Sequence, residues 1–92
     1  MSKIPEPLRA ILFDYCHVEW EDQVNELPLD VNRDDWAYDV AKFKSQLRES
    51  IHKPAFSLAA FKAATGVAFG TEDELSGWLR AIWDIAFPNE AP

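Results

Sequence analysis

Trp36, Val40, Phe43, Leu47 and Ile51 follow one another at intervals of four, three, four and four residues. That spacing lines one side of a helix with 3.6 residues per turn. It is incompatible with a strand, whose side chains alternate with a period of two. Asn32 offers a side-chain oxygen as N-cap, and Asp34 and Asp35 then fall in the first turn, where the helix dipole favours anions. His52 and Lys53 stand at the other end, where cations are favoured, and Pro54 stops the helix.

The rest of the chain obeys the same period. Leu8, Ile11, Leu12, Tyr15 and Cys16 mark the face of a first helix, from about Pro7 to Cys16. Ser57 caps a short helix from Leu58 to Thr65, anchored by Phe61. Gly66 supplies the left-handed residue behind it, with Val67 as its hydrophobic contact. Val67 to Gly70 is a short apolar connector expected to be buried. Thr71 to Glu74 forms a capping box, and Leu75, Trp78, Leu79, Ile82, Trp83 and Ala86 face one way along a last helix. Between His17 and Val31 the pattern weakens. Trp20, Val24 and Leu27 keep helical spacing, but Asn25, Pro28 and Asp30 are turn residues, so a connection with one helical turn is expected. A connection this long in a small domain is often functional. Alternating strand patterns and repeats are absent. The expectation is an all-α fold: one domain over residues 1–92, a bundle of about four helices with a long acidic connection after helix one.

An apolar content of 48% is ample for one core at this length. The net charge of −7 is unevenly placed: residues 1–40 hold ten acids against three bases, and the remainder balances at six of each. Such a field repels nucleic acid and anionic membranes and speeds encounter with basic proteins. The bases Lys42, Lys44, Arg48, Lys53 and Lys62 are matched by acids and read as a solvated helix face. A lone cysteine, Cys16, forms no internal disulfide and fits a reducing cytosol. No signal peptide or apolar span of bilayer length is recognisable, so a cytoplasmic location is expected.

Chemistry-bearing patterns are sparse. His17 lies near Glu19, Glu21 and Asp22, but no second histidine stands at metal-ligand spacing. Cys16 belongs to the apolar stripe and points about 100° away from His17 on a helix. Phosphate-binding glycine loops, nucleophile elbows and zinc spacings are missing. Neither enzyme activity nor a metal or cofactor is expected. The remaining signal is aromatics set among carboxylates: Tyr15, Trp20, Trp36 and Tyr38 lie among Asp14, Glu19, Glu21, Asp22, Asp34, Asp35 and Asp39. Aromatic anchors ringed by acids suit a surface that meets a basic protein. Trp20 and Tyr38 fall off the apolar stripes and are the expected anchors.

The stretch Leu8 to Asp22, with Tyr15-x-His17-x-Glu19-Trp20-Glu21, resembles the N-terminal signature of bacterial contact-dependent growth inhibition immunity proteins. In that family a leucine-rich helix leads into a Tyr-Phe-His-x-Asp-Trp-Asp-like run. An acidic segment and further helices follow, and the last amphipathic helix contains Trp-Leu-Arg, here Trp78-Leu79-Arg80. Cys16 and Glu19 depart from the usual Phe and Asp. The resemblance implies a cytosolic antitoxin that binds the toxic C-terminal domain of a delivered effector. Such toxins are often nucleases with basic substrate-binding surfaces, which an acidic protein can occupy by mimicking the substrate's charge. Tyr15, His17 and Trp20 either hold the turn after helix one or touch the partner.

The expected partner-binding residues are Glu19, Trp20, Glu21, Asp22, Glu26 and Asp30, followed by Asp34, Asp35, Tyr38 and Asp39. The free protein is expected to be a monomer or weak dimer. Two other binders fit the same residues: an acidic inhibitor of a nuclease that mimics nucleic acid, and a small structural or adaptor subunit that self-associates through Trp20 or Trp83.

Overall fold

A computed structural model describes residues 4–17, 23–53 and 56–92. Among these the chain is all-helical, without strands, and five helices follow in order: α1 (Leu8–Cys16), α2 (Leu27–Asp30), α3 (Val40–His52), α4 (Leu58–Thr65) and α5 (Glu72–Ala86). α3 packs along α5, α1 lies on α4 and touches α3, and the short α2 rests on α5. The apolar stripes meet in one core. Leu8, Ile11 and Leu12 of α1, Phe43 and Leu47 of α3, Phe61 of α4, and Leu75, Leu79 and Trp83 of α5 are all fully or almost fully removed from water. Each such aliphatic or aromatic side chain contributes about 1.5–3 kcal/mol of transfer free energy.

Helix ends are closed largely as the residues dictate. Ser57 and Thr71 accept from the backbone N–H groups of Ala60 and Glu74 at 3.0 and 3.2 Å. Gly66 takes the left-handed conformation (φ 78°) that a side chain disfavours, and its N–H donates to the Lys62 carbonyl. α1 starts at Pro7 with no capping side chain of its own. Gln46 of α3 supplies the missing group: its amide oxygen accepts from the Leu8 N–H at 3.1 Å, and its NH₂ donates to the Glu6 carbonyl at 2.7 Å. At the other end of the chain, the Trp83 indole donates to the Glu90 carbonyl at 2.7 Å while the Glu90 carboxylate holds Lys44 at 2.6 Å. This folds the segment after α5 back onto the α3–α5 seam.

Three expectations need correction. The helix expected from Asn32 begins instead at Val40, capped by Asp39, whose carboxylate accepts from the Lys42 N–H at 3.1 Å. Asn32 turns the other way and donates to the Pro28 carbonyl at 2.8 Å, closing α2. Asp34 and Asp35 therefore precede the helix rather than occupy its first turn. The apolar stripe misled because Trp36 reaches the same core edge from a turn, its ring 6.1 Å from Phe43 and edge-on to it. The Val67–Gly70 connector is also not buried throughout. It alternates, with Val67 and Phe69 half-buried and Ala68 and Gly70 exposed. Phe69 leans on Phe61 and Trp78, ring centres 5.6 and 6.4 Å away. In the connection after α1, a 3₁₀ turn over 23–26 runs directly into α2, burying Leu27 and half-burying Val24, so its helical part is longer than one turn.

Candidate functional site

The acidic stretch between α2 and α3 is held by a cluster built on Tyr15. This residue lies on the last turn of α1, on the side facing residues 30–38. Its hydroxyl donates to the Asp30 carboxylate at 2.7 Å and accepts from the Trp36 indole N–H at 2.9 Å. The two rings meet edge-on at 6.1 Å, and Trp36 meets Tyr38 in the same way at 5.3 Å. The Tyr38 hydroxyl in turn donates to Asp14, one residue before Tyr15. Two tyrosine–carboxylate bonds and one indole bond thus fix a nine-residue irregular segment against the first helix.

The electrostatics follow from these partners. Burial pushes the Tyr15 phenol above its usual range, and its bond to Asp30 adds to the shift, because ionisation would lose the bond and set two anions together. The bond to Asp14, with burial second, pushes Tyr38 up to about 12. Arg33 is exposed and bonded to Asp35 at 3.2 Å, which holds the Asp35 carboxyl below its ordinary value and raises the guanidinium. Arg33 also stands 3.6 Å from Asp30.

Of the expected partner-binding residues, Glu19, Trp20, Glu21 and Asp22 lie outside the described residues. Glu26, Asp34, Asp35 and Asp39 are exposed, and they share one stretch, 23–39, whose only base is Arg33. Asp30 is different: its side chain keeps 19% exposure and is engaged by Tyr15 and Arg33. Tyr38 is half-buried and its hydroxyl is bonded to Asp14, so only part of the side chain is at the surface. Tyr15 from the sequence signature is a strut of the fold. His17 leaves α1 in extended conformation, half-buried, with its ring 5.5 Å from Phe13 and edge-on to it.

The sequence pattern missed Leu29, which at 64% is the most exposed of the large apolar side chains among the described residues. Its signal was present: Leu27 and Val31 are four apart and both buried, so Leu29 between them must point outward. The second-half bases are partly consumed within the molecule, Lys44 by Glu90 and the Phe87 ring (4.8 Å), Arg48 by the Trp83 ring (5.0 Å). Cys16 is buried, and desolvation pushes its thiol up to about 12. Among the described residues no three His, Cys, Asp or Glu side chains group closely enough to share a metal ion. No helix there is long and apolar enough to cross a membrane. No protein-family model, curated protein or solved structure matches the chain.

Proposed function

We propose that this protein is an immunity-type antitoxin that acts in the cytosol by binding, without catalysis, the toxic C-terminal domain of a contact-dependent growth inhibition effector. The observation that carries the reading is the stretch 23–39. Glu26, Asp34, Asp35 and Asp39 project from it against a single base, on backbone fixed by Tyr15, Trp36 and Tyr38. Fixing the acids in advance lowers the ordering cost of association, and their field accelerates encounter with a basic surface such as that of a nuclease. The sequence signature Tyr15-x-His17-x-Glu19-Trp20-Glu21 supports the same class.

The test is co-expression with any effector C-terminal domain that is encoded beside this gene. The wild-type chain relieves growth arrest, and the purified pair binds more weakly and associates more slowly as salt rises. Reversing Glu26, Asp34 and Asp35 together to lysine abolishes protection while leaving the helical circular dichroism intact. Protection by the reversed variant would sink the acidic-face model. No protection by the wild type would sink the immunity reading.

A further inference from the structure

Behind α5 the chain turns back over the α3–α5 seam, and we infer that Pro88 to Ala91 is an ionic strap. It closes over Trp83 through Glu90 and opens by itself while the bundle stays folded. The inference does not depend on the proposed function and starts from how α5 stops. Phe87 is buried, its N–H donates to the Trp83 carbonyl at 2.7 Å, and its ring packs on those of Phe43 and Trp83 at 5.8 and 4.9 Å. Pro88 then has no N–H with which to continue the helix. Phe87 is thus a fixed post. The chain behind it forms a separate turn, closed by the Glu90 N–H on the Phe87 carbonyl at 3.1 Å.

Pro88, Asn89, Glu90 and Ala91 are all exposed, so this turn adds no buried side chain to the core. One flank borders a recess of about 180 Å³, shared with Pro28 and Asn32, instead of packed side chains. Little apolar burial and an open flank are the marks of a segment that opens locally. What closes it is polar and comes from one residue. The Glu90 carbonyl accepts from the Trp83 indole N–H at 2.7 Å, and the Glu90 carboxylate meets the Lys44 ammonium at 2.6 Å. Trp83 is fully buried, and a buried donor needs its acceptor. Lys44 and Arg48 stand four apart on α3 and lie over the rings of Phe87 and Trp83, at 4.8 and 5.0 Å. Like charges at that spacing repel, and Glu90 offsets the repulsion. Closure is therefore favoured. Yet the side chains of Lys44 and Glu90 keep 27% and 47% exposure, so dissolved salt competes with their pairing. Ionic strength thereby sets how often water reaches the Trp83 indole.

The test is hydrogen exchange of the intact chain followed by NMR, read at the Trp83 indole N–H and at the backbone N–H of Leu79 in the core of α5. Local opening exposes little surface, so the indole should exchange at a rate nearly independent of low urea. Leu79 should speed up steeply as global unfolding takes over. Glu90→Gln at low salt should speed the indole about 1.5–5-fold, the range of an ion pair open to water. Sodium chloride at about 1 M should do the same to the wild-type chain and add little to Glu90→Gln. An indole that follows urea as steeply as Leu79 would show that the segment opens only with the bundle, and would overturn the inference. So would an indole exchanging as fast as free indole, which has no closed strap over it. Indifference to both salt and Glu90→Gln would remove the ionic clasp.

Discussion

Replacing Tyr15 by phenylalanine removes one oxygen and leaves the ring, and that oxygen joins three elements of the fold. Its bond to the Asp30 carboxylate, 2.7 Å long, is of the charge-assisted kind worth about 1.5–3 kcal/mol. The bond from the Trp36 indole, at 2.9 Å, adds about 0.5–1.5 kcal/mol. Asp30 keeps Arg33 at 3.6 Å and some exposure to water, so part of the first loss is recovered. The expected net cost is about 2–3 kcal/mol, a large share of the roughly 5–15 kcal/mol that holds a small domain together. For a chain of this length the melting temperature should fall by about 10–20 °C. Urea unfolding followed by circular dichroism at 222 nm gives the number. A double-mutant cycle with Asp30→Ala isolates the pair and should return a coupling of about 1 kcal/mol or more. Tyr38→Phe is the contrast: its partner Asp14 is exposed, and the cost should stay under about 1 kcal/mol. A Tyr15→Phe cost below about 0.5 kcal/mol with no coupling to Asp30 would refute the strut.

Both tyrosines of the chain sit in this cluster, so its ionisation can be read directly by absorbance at 295 nm. Raised phenol values in the fold mean that the neutral forms are favoured. Their contribution is therefore complete below the unfolded value of about 10 and is lost as pH rises through the folded values, about 12 for Tyr38. Native protein should titrate above 10 and protein in guanidinium near 10; coincident curves would contradict the hydrogen bonding. Asp39→Ala should cost about 1 kcal/mol through loss of the α3 cap, and more than Asn32→Ala; the reverse order would restore the longer helix. Cys16 should react with a thiol reagent at pH 8 about 1000-fold more slowly in the native protein than in urea, since burial suppresses the thiolate; comparable rates would place it at the surface.

α4 and α5 were readable end to end because each carries apolar residues at helical spacing with a local capping signal at the right place: Ser57, Gly66 and Thr71 act within a few residues of themselves. What escaped was decided at longer range. Asn32 and Asp39 are equally competent caps, and the choice between them is made by Tyr15 and Asp14, more than 20 residues from the rings they engage. Gln46 as the cap of α1 is invisible locally, because the helix it closes begins 38 residues earlier. The acids of the candidate face were legible as a charge imbalance. Their division into exposed groups (Glu26, Asp34, and Asp35 and Asp39 with local surface partners) and a half-buried one held by Tyr15 (Asp30) was not, because nothing in composition shows which carboxylate a tyrosine will reach.

The stretch 23–39 assigns holding and presenting to different side chains. Leu27, Asp30, Val31, Trp36 and Tyr38 point to the bundle, while Glu26, Leu29, Asp34 and Asp35 point away from it. Substitutions at the second group touch no core contact, and surface changes of that kind usually stay within about 0.5 kcal/mol of neutral. The outward positions are thus free to drift, or to be redesigned, one at a time without the chain falling below the stability it needs to fold. A single helical frame can in this way carry many different faces, each reached by steps that leave the frame intact.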